Sequence, residues 1–380
     1  MTNIRVIRAE GGPAARGRQI GRGLGDLIES SLAFYHRYLE RRGVSSPDLN
    51  ELLTPYLAAS ERALPEYMTL IKAMAEGAMV PVWELFAVNA FEELEPELEP
   101  VDGVPLFLRR KDGTAPRMVI PPAPPAPWLA RETERCSTVT VSGPGLTLLG
   151  HNEHWLAGDV GNIAIVVEVP DEGPAVASPT VVCCMPAVGM NAFGGVQGIG
   201  SLTAQDDGIG IPRVLVSRRA LDASDREDAM RRASLPGRAG GYGHVFAFKG
   251  GDSFVVETTA TRHALVEGPG PHTNHYVDPE LARIGADPSE SSLTRYRSLV
   301  EALDQIQPAD PHALMTMMGS HENSPNSVCL HPDEGEGDEA SAVVFSMVCD
   351  LEAGRMWVSP GNPCVEPYEE IDLSGMAGGA

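Results

Sequence analysis

Positive charge is scarce in this chain of 380 residues: 29 Lys and Arg stand against 52 Asp and Glu, a formal charge of −23. A phosphate-binding surface needs a net basic face, so this balance excludes nucleic acid and anionic membranes as partners. Long apolar runs are lacking too. The longest, such as 163–167 and 181–185, are far too short to span a bilayer, and the opening MTNIRVIRAEGG holds no stretch of signal-peptide length. The expectation is a cytoplasmic protein. Cysteine is sparse, with six residues and none in a CxxC pair, and a chain this long and apolar needs no disulfide staples. Cys183 and Cys184 are adjacent. On a strand they point to opposite faces, which reads as core thiols rather than joint metal ligands.

What is present is a large apolar complement, 43% hydrophobic residues against 21% charged, enough for a substantial core. Gly 40 and Pro 32 imply many turns between short elements. From Pro13 to about Glu95 apolar residues recur at three- and four-residue steps, which predicts helices. Glycines 17, 21, 23 and 25 do not spell GxGxxG after a strand, so they read as close helix packing rather than a dinucleotide site. Residues 96–135 carry a basic patch at Arg109, Arg110 and Lys111 and the proline-rich IPPAPPAPW. That stretch reads as a linker that continues neither a helix nor a central strand. It is an exposed loop or a segment open to cleavage.

After Arg135 the pattern turns to β. CSTVTVSGPGLTLLGHNEHW holds two β-branched runs joined by Gly143, Pro144 and Gly145, a hairpin signature. IAIVVEV, TVVCCMP, GHVFAFKG, SFVVETT, ALVEGP, AVVFSMVCD and RMWVSP are further strand candidates, with helices expected at 213–223, 226–233 and 291–302. This order predicts an α+β layered fold rather than an alternating parallel sheet.

Three places could carry chemistry. HNEH at 151–154 is not HExxH and lies in a strand-turn context, so it does not read as zinc ligation. HTNH at 272–275 offers Asn274, whose amide, if held on a rigid strand, is an oxyanion donor; a capped turn before YVDP is the plainer reading. Cys136 opens a strand directly after the linker. Cut before this residue, the chain would place a new α-amine, with an ordinary pKa near 8, beside the thiol as its own general base.

The ordered series CSTVTV, GHNEHW, VGMNAFG, GIP, HTNHYVDP, NSVCLHPDEG and MWVSPGNPC resembles the isopenicillin-N acyltransferase family of N-terminal nucleophile hydrolases. GGPAARGRQIGRGLG and EGAMVPVWELFAVNAFEELE are similar to that family's leading region, so the resemblance covers most of the chain. It implies a four-layer αββα sandwich, and a precursor that cuts itself before the cysteine. Residues 1–135 would then be a helical small chain ending in the 96–135 linker, and 136–380 the catalytic portion, within one integrated domain. Carried over by position, Cys136 is the nucleophile for both self-cleavage and catalysis. Asn274 is an oxyanion-hole side chain, and the main-chain N–H of His154 is its partner donor. Neither a metal nor an organic cofactor is implied, and no substrate-binding residue is assigned.

The chain departs from the family pattern in three ways: Arg135 replaces a glycine before the cysteine, His154 replaces a carboxylate, and EGEGDEASAVVF lacks an arginine. The expected activity is hydrolysis of a small N-acyl amide through an acyl-thioester on Cys136. Transfer of an acyl group from a coenzyme A thioester to an amine is the nearest alternative. An uncut Cys136–His154 thiol enzyme and a catalytically idle relative are the others. Partners are confined to small-molecule amides or thioesters, with self-association into a homo-oligomer left open. Glu153 reads as a solvated strand-end residue, and Arg213 and Arg295 as surface positions of amphipathic helices.

Overall fold

The computed structural model describes residues 4–98, 136–306, 309–332, 335–373 and 376. The elements in chain order begin with β1 (Arg5–Gly11), α1 (Pro13–Arg41), α2 (Ser46–Ala63), α3 (Pro65–Ala78), α4 (Val82–Asn89) and α5 (Phe91–Leu98). There follow β2 (Ser137–Gly143), β3 (Leu146–Leu156), β4 (Ile163–Pro170), β5 (Val176–Val181), β6 (Gly189–Asn191) and β7 (Gly195–Leu202). Next come α6 (Arg213–Leu221), α7 (Arg226–Ala233), β8 (Gly241–Phe248), β9 (Asp252–Thr258), β10 (His263–Glu267) and β11 (Pro271–His272). The last are α8 (Pro279–Ala282), α9 (Glu290–Gln305), α10 (Pro311–Met318), β12 (Ser341–Asp350), β13 (Arg355–Ser359) and β14 (Glu369–Glu370).

The strands form two sheets. One has the order β1-β4-β5-β6-β7-β8-β9-β10, the other β11-β2-β3-β12-β13-β14. Among these pairings β1 with β4 is parallel and the rest are antiparallel. Alternation of side chains divides each sheet into two apolar faces. Between the sheets, Ile163, Ile165 and Val196 meet Leu149, Phe345 and Met347. Outside the first sheet, α1 and α3 cover Ala164 and Val166. The small residues of α6 and α7 cover Phe246 and Phe254. Outside the second sheet, Leu299 of α9 and Leu314 and Met318 of α10 cover Val139, Leu148 and Val348. The layers therefore run helix, sheet, sheet, helix: a four-layer αββα sandwich. Each fully buried Leu, Ile or Phe contributes about 1.5–3 kcal/mol to holding the layers together.

Several sequence expectations shift at their edges. β1 was not anticipated; its role is to pair along its whole length with β4, so residues before Cys136 build part of the first sheet. Helix α5 continues past Pro96 to Leu98, beyond the Glu95 end expected, because a proline this close to a helix end forfeits few ladder bonds. α10 was also missed. Most of the 96–135 linker lies outside the described residues. Gly21 shows why the α1 glycines are there: a Cβ on it would fall 2.1 Å from the carbonyl oxygen of Met74 in α3. Among the described residues no helix is long and apolar enough to cross a membrane.

A buried ion-pair network ties the leading residues to the rest. Arg16 Nε lies 2.8 Å from Glu168 Oε2, and Arg218 Nη2 lies 3.1 Å from Glu168 Oε1. Burial pushes the Glu168 carboxyl up, but the guanidinium groups of Arg218 and Arg16 outweigh it and hold it below the ordinary value. Removing one member leaves buried charge uncompensated. Glu168→Ala should therefore destabilise the protein by about 3–5 kcal/mol, read from the urea unfolding midpoint. An unchanged midpoint would show that the network carries no net stability.

Candidate active site

The hairpin β2–β3 positions the thiol. Ser137 pairs with Asn152 and Gly143 with Leu146, leaving Pro144 and Gly145 as a two-residue turn. Carried one step, this register sets Cys136 opposite Glu153, and opposed residues on paired strands share a face. The Cys136 Sγ accordingly lies 3.3 Å from Glu153 Oε1. The other Glu153 oxygen lies 3.0 Å from His151 Nε2, and His151 Nδ1 lies 2.8 Å from Thr138 Oγ1. Cys136, Glu153, His151 and Thr138 thus form one chain of polar contacts on the face turned toward the first sheet.

A second group of contacts gathers on Arg295 of α9. Its Nη1 donates to the Cys136 carbonyl at 2.6 Å and to Ser137 Oγ at 2.9 Å, and its Nη2 donates to Asn274 Oδ1 at 2.9 Å. One planar guanidinium therefore holds the main chain of Cys136 and the side chain of Asn274 in fixed relation. With its oxygen bound by Arg295, the Asn274 amide is set so that Nδ2 donates to the Ser201 carbonyl at 3.2 Å and has one further N–H. The backbone of Asn274 donates to Ser292 Oγ at 2.8 Å. Just before it, His272 Nε2 sits 2.8 Å from Glu257 Oε1, and the same carboxylate accepts from the N–H groups of Val277 and Asp278. Gly200 makes room for this loop, since a Cβ there would fall 2.7 Å from the Thr273 carbonyl oxygen.

Sequence reasoning had named Cys136, Asn274 and His154. The first two are brought together through Arg295. The His154 ring is not: its strand parity is that of Asn152, and its Nε2 contacts the Val328 carbonyl at 3.3 Å on the opposite face of the sheet. The Cys136–His154 side-chain pair of the uncut-thiol alternative is therefore not formed. The main chain of His154 does reach the site, its carbonyl oxygen lying 3.9 Å from Cys136 Sγ. Opposite it, Val343 directs its N–H to Leu330 rather than to β3, and a bulge separates Val343 from Phe345. In an antiparallel ladder the N–H and C=O of one residue face the same neighbour, so those of His154 face the β2 side.

Two residues with direct contacts had been read as surface positions. Glu153 is not a solvated strand end; it faces the thiol. Arg295 is fully buried, and so in practice is Arg213, whose Nε lies 2.9 Å from Glu93 Oε1. The periodicity of a helix names the inward stripe but not what waits there, and here polar groups wait. HTNH also leaves the strand after His272, so Asn274 is held in a loop and not on a rigid strand. The Cys183–Cys184 pair follows β5 in a turn; Cys183 joins the helix-side core and Cys184 lines the cavity described next.

A cavity of about 50 Å³ adjoins the site, walled by Phe91, Glu92, Glu153, Trp155, Tyr242 and Phe345 among others. Among the described residues its lining is mostly apolar and holds no Lys, Arg or His. Glu92 accepts from Ser201 Oγ and from the Tyr242 hydroxyl, which seats α5 against the opening. Burial, with the adjacent Glu153 carboxylate adding to it, pushes the Cys136 thiol well above its ordinary value. In the uncut chain the sulfur is thus held as a thiol, able to donate to Glu153.

The family described as acyl-coenzyme A:6-aminopenicillanic acid acyl-transferase matches residues 141–364, more than half of the chain, and the chain belongs to that family. The match begins just after Cys136. No curated protein sequence matches the chain. Among solved structures, penicillin V acylase from Agrobacterium tumefaciens is similar at 14% identity and a TM-score of 0.46, over 64% of this chain and 87% of that one. The R18L variant of conjugated bile acid hydrolase from Clostridium perfringens is similar at 13% identity and a TM-score of 0.40, over 64% and 95%. Family membership makes the protein an enzyme of the N-terminal nucleophile acyltransferase type.

The electrostatics of the thiol give a direct test. Alkylation of Cys136 in the uncut chain should keep rising about tenfold per pH unit through pH 9 without levelling, because the thiolate is the reactive form and the thiol titrates above that range. Glu153→Gln should speed alkylation at fixed pH by removing the facing negative charge. Site-resolved alkylation by peptide mass spectrometry reads both, and a plateau below pH 9 contradicts this account.

Proposed function

We propose that this member of the family is an N-terminal cysteine amidohydrolase, which cleaves itself between Arg135 and Cys136 and then hydrolyses a small N-acyl amide. The observation that carries this reading is the joint hold of Arg295 on the Cys136 carbonyl and the Asn274 amide. It keeps a nucleophile and a side-chain N–H donor in one rigid frame.

In self-cleavage the Cys136 sulfur attacks the carbonyl carbon of Arg135 and passes its proton to Glu153, which lies 3.3 Å away. The C–N bond breaks, the Cys136 nitrogen takes a proton, and water hydrolyses the resulting thioester. This frees the Arg135 carboxylate, the thiol and the α-amine. In turnover the α-amine takes the thiol proton as the sulfur attacks the substrate amide. The oxyanion accepts from Asn274 Nδ2 and from the main-chain N–H of His154. The α-ammonium then gives its proton to the leaving amine. Water, activated by the same amine, releases the carboxylic acid and restores the thiol.

The cavity bears on the substrate. Its apolar wall suits an apolar acyl group, while Glu92 and Glu153 together with a net charge of −23 disfavour a carboxylate-bearing one. This agrees with the missing arginine of EGEGDEASAVVF. The family description favours a second reading, in which an amine rather than water takes the acyl group from a coenzyme A thioester. Release of free thiol from acyl-CoA that depends on added amine separates it from hydrolysis.

Intact mass under denaturing conditions tests the main reading. Wild type should give two fragments divided between Arg135 and Cys136, and Cys136→Ala a single chain. Full amide turnover by Cys136→Ala would refute the assignment. Because the neutral α-amine is the base, kcat/KM should rise as the pH passes through about 8 and be lost below it. A pH-rate profile with no group titrating there would point to a base other than the new amine.

A further inference from the structure

Away from Cys136, four side chains converge that the proposed reaction does not use. His321 and the Cys329–His331 pair lie in the segment between α10 and β12, and Cys364 lies in the loop after β13. Their ligand atoms all lie within 4.8 Å of one another. Cys329 Sγ and Cys364 Sγ are 3.5 Å apart, His331 Nε2 is 3.1 Å from Cys364 Sγ and 3.8 Å from Cys329 Sγ, and the two Nε2 atoms of His321 and His331 are 3.1 Å apart.

These separations have a simple geometric meaning. A tetrahedral zinc with Zn–S of about 2.3 Å and Zn–N of about 2.0–2.1 Å sets its ligand atoms about 3.8 Å apart for two sulfurs, about 3.6 Å for nitrogen and sulfur, and about 3.3 Å for two nitrogens. The four separations just given come within about half an ångström of these values, and His321 lies within 4.8 Å of both sulfurs, close enough for a small movement of its exposed ring to complete the set. Packing alone gives no reason for two thiols and two imidazoles to point their donor atoms at one point. Asn362 adds the outer support such sites need: its Nδ2 lies 3.4 Å from Cys329 Sγ and 2.6 Å from the Leu330 carbonyl, steadying both sulfur and loop.

We propose that His321, Cys329, His331 and Cys364 bind one zinc ion. Two thiolates, two neutral imidazoles and Zn²⁺ sum to zero charge, the two thiol protons passing to solvent on binding. Four protein ligands close the coordination sphere, so the site is structural rather than catalytic. Its place in the fold says what it steadies. The segment it pins supplies the Val328 carbonyl, which accepts from Asn152 Nδ2 at 2.9 Å and contacts the His154 ring. The zinc therefore clamps the support behind the strand that carries Glu153 and the His154 main chain.

The test uses the full chain, stripped of metal with a chelator under reducing conditions and then given Zn²⁺ or Co²⁺ alone. Native mass spectrometry should show one zinc retained per chain, and the cobalt form should show intense thiolate-to-metal charge-transfer absorption with tetrahedral ligand-field bands. Cys364→Ser and His331→Ala should each lose tight zinc retention while keeping the far-ultraviolet circular dichroism of the parent, and zinc should raise the melting temperature of the wild type only. Wild-type protein that retains no zinc overturns the proposal, as does a cobalt form without thiolate absorption. A Cys329–Cys364 disulfide that persists in the reduced, zinc-treated protein overturns it as well, because the thiols would then be joined to each other.

Discussion

The arrangement around Cys136 and Asn274 depends on one buried cation. Arg295 has been taken wholly out of water, a placement that is costly unless every donor finds an acceptor. Its acceptors are the Cys136 carbonyl, Ser137 Oγ, Asn274 Oδ1 and Ser291 Oγ, drawn from the start of β2, from the HTNH loop and from its own helix. The need to satisfy this guanidinium fixes three chain segments against one another. The Asn274 amide cannot turn over without losing its bond to Arg295, so its N–H groups remain directed away from α9. A lysine at 295 would keep the charge and lose the fork that spans main chain and amide together.

The second constraint is strand parity. On β3, His151 and Glu153 face the first sheet with Cys136, while Asn152 and His154 face the helices on the other side. The family pattern expects a carboxylate at 154; here a carboxylate stands one residue earlier, on the face that the thiol occupies. Had a carboxylate stood at 154, its side chain would have met Val328 rather than the sulfur. The replacement of that residue by histidine thus leaves a carboxylate beside Cys136 and leaves the 154 main chain next to the thiol.

Much of this was legible from residues alone and some was not, for identifiable reasons. The β2–β3 hairpin announced itself through β-branched runs and a Gly-Pro-Gly turn, and Cys136 through its place after the linker. Glu153 was misread because its face depends on the 137-to-152 register, which is set by the length of the turn. Arg295 was misread because a helical stripe shows which side turns inward but not that polar groups from two other segments await it. β1 escaped because seven residues of mixed polarity become a strand only when β4 offers an edge. The His321, Cys329, His331 and Cys364 group has no periodic spacing, since its members come from separated loops that only the fold brings together.

These contacts also decide what a cut before Cys136 would do. β1 is hydrogen-bonded into the first sheet, Arg16 is paired with buried Glu168, Glu93 is paired with buried Arg213, and Glu92 is bound by Ser201 and Tyr242. Cleavage severs one peptide bond and none of these interactions, and a buried ion pair alone costs about 3–5 kcal/mol to break. The leading residues therefore remain part of the folded unit and are not a propeptide that departs. What would change is local: the Cys136 nitrogen would become an α-amine beside its own thiol. α5, whose Phe91 and Glu92 wall the cavity, keeps its bonds to Ser201, Tyr242 and Arg213, so the wall stays where it is. Under the proposed cut, the one peptide bond lost would supply the base and leave the fold around it in place.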